Sequence, residues 1–358
     1  MTGHDPRGPR RVTVAELDVF PERLDVRTPA EFDDDHVPGA QSAPVLSNEE
    51  RAVVGTLHAQ ASPFEAKKLG AALISRNIAA IVERFRDRPR DWTPLVYCWR
   101  GGQRSRSLAH VMNEIGWRAV QLDGGYRAYR RHVIAALDEA PLRFTYRVVC
   151  GLTGSGKSRL IDALGAEGAQ VLDLEGLAKH RGSLLGDLPG DPQPSQKRFE
   201  SLVLDALQRF DPARTVFVES ESKRIGRLQV PDALLERMRA AECARVELPR
   251  EARVALLKEE YAHFLADPAL LGQRLAPLAP LLGHELLGRW QAMAAAADFD
   301  TLVGELLDRH YDPMYTRSIH GNFPAVDRAL IVTPQGIDAR AYRDAARSLV
   351  ADAERTTP

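Results

Sequence analysis

The stretch Gly151-Leu152-Thr153-Gly154-Ser155-Gly156-Lys157-Ser158 satisfies G-x-x-x-x-G-K-S in full, and few folds can carry it. The pattern needs a buried strand, a turn, and a helix that starts at the lysine, so that backbone N–H groups cradle a phosphate. The flanks provide both elements. Residues 147–150 form a short apolar strand, and Leu160, Ile161 and Leu164 mark one face of a helix that Gly165 ends. Gly151, Gly154, Ser155 and Gly156 are therefore expected to shape a diphosphate cradle. Lys157 would neutralise the phosphate, and Ser158 would ligate Mg²⁺ if a metal is used. The strand at 215–219 ends in Glu219, where such folds hold a metal- or water-orienting acid. Asp173 and Glu175, at the end of another strand, are further candidates for that crevice. Lys223, Arg224 and Arg227 follow closely, and either pair with these acids or bind phosphate.

Apolar runs that read as buried strands occur at 24–26, 94–98 and 120–122, then at 147–150, 170–174, 215–219, 245–248 and 329–332. Helical periodicity fills the gaps, which is the pattern of α/β architecture with mostly parallel strands. A length of 358 residues favours two domains, at roughly 100–200 residues each. They are expected at 12–137 and 145–350, with a linker near 138–145 and a helical segment over 253–310. Residues 351–358 read as a frayed tail.

A second constellation is Leu95-Val96-Tyr97-Cys98-Trp99-Arg100-Gly101-Gly102-Gln103-Arg104-Ser105. A strand ends at the cysteine, a loop with adjacent glycines follows, and Leu108, Val111, Met112 and Ile115 mark a helix. A thiol facing a helix N-terminus beside arginines has its thiolate stabilised. Gly101 and Gly102 let the backbone amides turn inward as an anion cradle. The coincidence of these features sets Cys98 apart from a small buried hydrophobe. Cys150 ends a strand and Cys243 lies in a stretch read as helical. Neither has a partner at metal-ligand spacing, so both read as core.

The charge total is nearly neutral, with 48 basic and 49 acidic residues. That total conceals a local excess. Between Arg76 and Arg131 there are 12 basic and 5 acidic residues, the electrostatic footprint expected for a polyanion. Within it the clusters 84–90 and 127–131, with parts of the region after 253, are the expected RNA-facing surface. With 44% hydrophobic and 27% charged residues, the chain is neither disordered, collagen-like nor a disulfide scaffold. Three distant cysteines fit a reducing compartment, hence the cytoplasm. No run is long enough to span a membrane, and residues 1–11 lack the apolar segment of a signal peptide.

Cys98 and Arg104 form C-x5-R followed by Ser105, the spacing of cysteine-dependent phosphatases, whose arginine clamps phosphate bidentately. Rhodaneses use a related cradle. Leu24-Asp-Val-Arg27-Thr-Pro-Ala-Glu31-Phe, His36-Val-Pro-Gly-Ala40 and Asp123-Gly-Gly-Tyr126 resemble rhodanese landmarks in their usual order. Asp25, Arg27 and Glu31 are expected to form an ion pair locking a strand end to the next helix, and His36 to be a hydrogen-bonded turn residue. The loop is one residue longer than in a typical rhodanese, which suits a tetrahedral anion.

From Leu24 to about Ser318 the chain resembles the bacterial tRNA 2-selenouridine synthase family. The likeness rests on the Cys98–Ser105 loop, on Asp173-Leu-Glu-Gly-Leu-Ala-Lys-His-Arg-Gly-Ser, on Phe217-Val-Glu-Ser-Glu-Ser-Lys-Arg-Ile-Gly and on His310-Tyr-Asp-Pro-Met-Tyr315. Gln103 stands where the family loop carries methionine, which leaves the cradle intact. The resemblance implies a substrate tRNA carrying 2-thiouridine at the wobble position. The family geranylates that sulfur with geranyl diphosphate, then replaces the S-geranyl group with selenium from selenophosphate. The phosphate loop would hold the diphosphate. Arg100, Gly101, Gly102, Gln103, Arg104 and Ser105 would bind selenophosphate. Cys98 would either accept selenium or assist departure of the thiol. Two other readings stay open from the residues alone: an ATP-dependent tRNA sulfurtransferase, and a regulatory nucleotide- or anion-binding module without an RNA role.

Overall fold

The computed structural model describes residues 8–183 and 185–356; the start of the stretch expected to lack a signal peptide lies outside them. The chain divides into two compact units. One holds the residues up to Ala136 together with Pro194–Asp205, and the other holds Leu137–Gln193 and the residues from Ala206 on.

In the first unit five parallel strands are ordered Arg11–Val12, Val120–Leu122, Leu95–Tyr97, Arg23–Asp25, Ala40–Ser42. The three inner strands are the expected ones. Leu24, Leu95, Val96 and Leu122 are wholly buried, because helices cover both faces of a parallel sheet. The two edge strands have two and three residues, too short and too exposed to leave an apolar run. A hairpin of two helices, Asn48–Gln60 and Pro63–Arg84, separates Ala40–Ser42 from Leu95–Tyr97 in the chain. Its helices begin at Ser47 and Ser62, whose hydroxyls accept the amides of Glu50 and Glu65. They cross closely at Gly70, where a Cβ would lie 3.4 Å from Val54.

In the second unit the parallel order is Leu330–Val332, Glu242–Val246, Tyr146–Cys150, Val216–Glu219, Gln170–Leu172. The strand feeding the glycine-rich loop is central, and Val216–Glu219 is its neighbour. The stretch after Arg250 is helical through Asn322, as periodicity predicts for 253–310. Two local expectations fail. Cys243 lies in the strand Glu242–Val246, where alternate residues face the core; the strand expected at 245–248 starts earlier. Residues 351–356 are no frayed tail but continue the helix Ala339–Thr356, which buries Tyr342, Ala346, Leu349 and Ala353. Among the described residues no helix is long and apolar enough to cross a membrane, and all three cysteines are free thiols.

Candidate active sites in the two units

The cysteine site follows from the central position of Leu95–Tyr97. That strand delivers Cys98 to the N-terminus of the helix Gln103–Ile115. Cys98 is buried, and its Sγ accepts hydrogen bonds from the Gly102 amide and the Ser105 hydroxyl, both at 3.2 Å. These two donors fix Sγ at the start of the helix. Gln121, itself buried, donates to Ser105 Oγ at 2.7 Å and to the carbonyls of Gly101 and Gly102, fixing the loop from the neighbouring strand. Gly101 has φ +63°, whereas Gly102 has φ −96° and needs no glycine for its conformation. Gly125, at φ +57°, packs beneath the loop, and a Cβ there would lie 3.0 Å from the Arg100 amide. The Asp123-Gly-Gly-Tyr126 landmark is thus a space requirement. Trp99, Arg100 and Gln103 are exposed.

Arg104 is engaged by Glu31 at 2.9 Å. Glu31 does not lock Arg27 as expected; it also accepts the Thr28 amide at 3.1 Å to cap its own helix. Burial pushes the Glu31 carboxyl up, but Arg104 and the Thr28 amide hold it below its usual range. An anion entering this loop would therefore compete with Glu31 for Arg104. The expected Asp25–Arg27 pair does form, at 2.6 Å and fully buried, with the guanidinium 3.9 Å from the Tyr126 ring centre. His36 Nδ1 bonds the Phe32 carbonyl at 2.9 Å. Buried Asp35, not singled out from sequence, accepts the hydroxyls of Tyr126 and Ser201 at 2.8 and 3.0 Å. It anchors the turn that supports the cysteine loop.

In the phosphate loop Lys157 opens the helix Lys157–Ala166 after Gly156, which has φ +78°. Lys157 Nζ donates to the Gly151 carbonyl at 3.0 Å and lies 5.5 Å from the Tyr315 ring centre. The Gly151 amide donates to Tyr315 Oη at 2.6 Å. The helical segment braces the loop from outside. Buried Arg253 donates to the Thr153 carbonyl at 2.8 Å and makes a bidentate pair with Asp312. A Cβ on Gly154 would lie 2.8 Å from Leu257. Ser155 Oγ is buried with no hydrogen-bond partner among the described residues, the state expected of a hydroxyl reserved for a ligand.

Three carboxylates meet beside Lys157. One oxygen each of Glu175, Glu219 and Glu221 falls within 4.8 Å of the others, and the Ser158 hydroxyl donates to Glu175 at 3.1 Å. Among the described residues, neither Glu219 oxygen, both buried, has a hydrogen-bond partner. Hard oxygen donors around an unpaired buried carboxylate fit Mg²⁺. Asp173 is not in this group; it caps the helix Leu174–Ala178 by accepting the Gly176 amide at 2.7 Å. Lys223 pairs with Asp232 and Arg227 bonds the Gln193 carbonyl, so these cations have partners other than the three glutamates.

Burial, then mutual repulsion, raises the carboxyl pKa of Glu219, and burial with Glu175 raises that of Glu221. Burial also raises Glu175, against the pull of Lys157. Burial opposes the Lys157 ammonium, but Tyr315 and the three glutamates carry its pKa upward overall. Raised carboxyl pKa values stabilise the fold at acid pH, and that contribution is lost as pH climbs through them. Glu219→Gln is therefore expected to raise the melting temperature by about 2–4 °C above about pH 7. The gain should disappear below the ordinary carboxyl range, near pH 4. Melting curves across pH, with and without Mg²⁺, test this; a variant equal to wild type at neutral pH would show the carboxylates are not crowded.

A narrow apolar cavity, about 50 Å³, is lined by Thr153 of the phosphate loop and, in the helical segment, by Leu257, Phe264, Leu271, Phe299, Leu302 and Tyr311. Sequence periodicity predicts this segment only as helical.

Comparison with known proteins matches residues 17–132 to the rhodanese-like domain model and residues 144–272 to the model described as the tRNA 2-selenouridine synthase AAA domain. A tRNA 2-selenouridine synthase of Aeromonas salmonicida is 33% identical over 325 residues, covering 82% of this chain and 85% of that protein. Proteins of the same description from Nitrosomonas europaea and Sulfurovum sp. are 34% and 32% identical. They cover 79% and 84% of this chain, and 74% and 89% of their own lengths.

Proposed function

The chain belongs to the tRNA 2-selenouridine synthase family, and from that premise we propose that it converts wobble 2-thiouridine in tRNA to 2-selenouridine in two steps, one in each unit. In the first, the thiouridine sulfur attacks C1 of geranyl diphosphate, the C1–O bond breaks and diphosphate leaves from the phosphate loop. In the second, the selenium of selenophosphate attacks C2 of the S-geranyl base, the C2–S bond breaks and geranyl thiol leaves with Cys98 aiding its departure, and hydrolysis of the P–Se bond releases phosphate. Alkylation comes first because sulfur on the pyrimidine leaves poorly until it is capped.

The observation that carries this reading is the apolar cavity that Thr153 lines. A diphosphate held by Lys157 and the loop amides would have aliphatic and aromatic side chains nearby for an apolar tail, and few polar groups to read a nucleobase edge. The cavity as it stands is tighter than a ten-carbon chain, so the side chains lining it would have to yield for the tail to enter. Ser158, Glu175, Glu219 and Glu221 would hold Mg²⁺, which would supply charge neutralisation for the diphosphate. Lys157 and the loop amides bind and orient the same group.

Mass spectrometry of wobble nucleosides tests the reading. Incubation of 2-thiouridine tRNA with geranyl diphosphate should give the S-geranyl nucleoside without ATP, and later addition of selenophosphate should give 2-selenouridine. Absence of both products in an active preparation overturns it. Dimethylallyl diphosphate has about five fewer carbons to bury, and at about 0.8 kcal/mol per methylene it should fall at least ~100-fold in kcat/KM. Equal use of both diphosphates would remove the cavity from the argument.

A further inference from the structure

We propose that the cleft between the helical hairpin 48–84 and the helix Gln103–Ile115 binds single-stranded RNA of the tRNA substrate, leading it to the cysteine loop. The inference rests on the tRNA reading above and adds a surface to it. The cleft encloses about 720 Å³, and its polar wall carries Arg51, His58, Lys67, Arg104, Arg106 and His110. Its floor is apolar, from Leu46, Val54 and Ile74, and among the described residues no acidic side chain lines it. Arg104 is already held by Glu31, which leaves Arg51, His58, Lys67, Arg106 and His110 as the other basic groups. Two of the hairpin acids are neutralised: Glu50 pairs with Arg76 at 2.5 Å and Glu65 with Lys68 at 2.7 Å.

The arrangement of these groups selects the ligand class. A compact anion is bound by donors that converge on one point. Here the cations run along two helices, and residues 104–110 or 51–58 each cover roughly 10 Å at 1.5 Å per residue. A chain of phosphates fits such spacing. Imidazoles and guanidinium planes are stacking surfaces for unpaired bases, and the Gln103 amide can read a base edge. The cleft also leads to the chemistry, because Gln103 and Arg104 form the first turn of the helix whose Ser105 donates to Cys98 Sγ.

The cleft differs from the surface expected from sequence. In the clusters 84–90 and 127–131, Arg84 bonds the Ser42 carbonyl, Arg86 pairs with Glu83, Arg88 with Glu22 and Arg130 with Glu200. Arg51 and Lys67 fall outside those clusters altogether. Both are exposed and helical, so alanine is tolerated there.

The test compares Arg51→Ala/Lys67→Ala with Arg90→Ala/Arg118→Ala, a pair of exposed arginines outside the cleft. Binding of 2-thiouridine tRNA to the full chain is measured against salt concentration. The cleft pair should weaken binding about 10-fold near 0.1 M salt. It should also lower the slope of log K against log salt by about 1.4, the value for two single-strand phosphate contacts. The control pair should change Kd less than about 2-fold. Unchanged tRNA binding by the cleft pair, while wild type binds, overturns the proposal; so does an equal loss in the control. Retained tRNA binding with lost inorganic-phosphate binding would reassign the cleft to a small anion. Failure of wild type to bind tRNA overturns the underlying tRNA reading instead.

Discussion

Cys98→Ser is expected to stop selenation while leaving geranylation within about 2-fold of wild type. The thiol sits where two donors, the Gly102 amide and the Ser105 hydroxyl, each reach Sγ at 3.2 Å. Those bonds position the sulfur, but a serine hydroxyl placed there is a much poorer acid and nucleophile than a thiol. Loss of the thiol should cost on the order of 10³-fold or more in the second step. Serine nearly preserves volume, so the core around Leu108, Ala109 and Met112 should remain packed. The measurement is nucleoside mass spectrometry in two stages, with a melting curve as the folding control. The S-geranyl nucleoside should accumulate. If geranylation falls in parallel while the melting temperature holds, the division of steps between units is wrong.

What was legible in the sequence was whatever short stretches of chain encode. The phosphate loop carries its own strand, turn and helix within about twenty residues, and the cysteine loop does the same, so periodicity and glycine placement located both. The edge strands Arg11–Val12 and Ala40–Ser42 escaped because half-exposed strands of two or three residues leave no apolar signature. Cys243 was misread because Glu242-Cys-Ala-Arg-Val fits a helix as readily as a strand over five residues. Partners across the fold were illegible for a different reason. Glu31 reaches Arg104 across 73 positions and Tyr315 reaches Gly151 across 164, and only the sheet order brings them together. The convergence of Glu175 and Glu221 on Glu219 depends on Gln170–Leu172 pairing with Val216–Glu219. Asp173, the more conspicuous acid, turned out to cap a helix.

Lys157→Ala is expected to abolish geranylation, and tRNA supplied already S-geranylated should still be selenated by this variant. Lys157 has two functions that must be separated. Toward a ligand, it would be the positive charge of the proposed diphosphate cradle, and losing such a group typically costs about 10²–10³-fold or more. Toward the fold, it is the cation facing Glu175, Glu219 and Glu221. Removing it leaves buried carboxylates without compensation, so Lys157→Ala alone should also lower the melting temperature at neutral pH. The double variant Lys157→Ala/Glu219→Gln resolves the two functions. Glutamine at 219 removes one of the crowded charges and should return much of the lost stability, yet it supplies no cation for a phosphate. Geranylation should therefore stay abolished in a chain that melts near the wild-type temperature. Recovery of geranylation along with stability would mean that Lys157 serves the fold and not the diphosphate, and the phosphate loop would lose its assigned step.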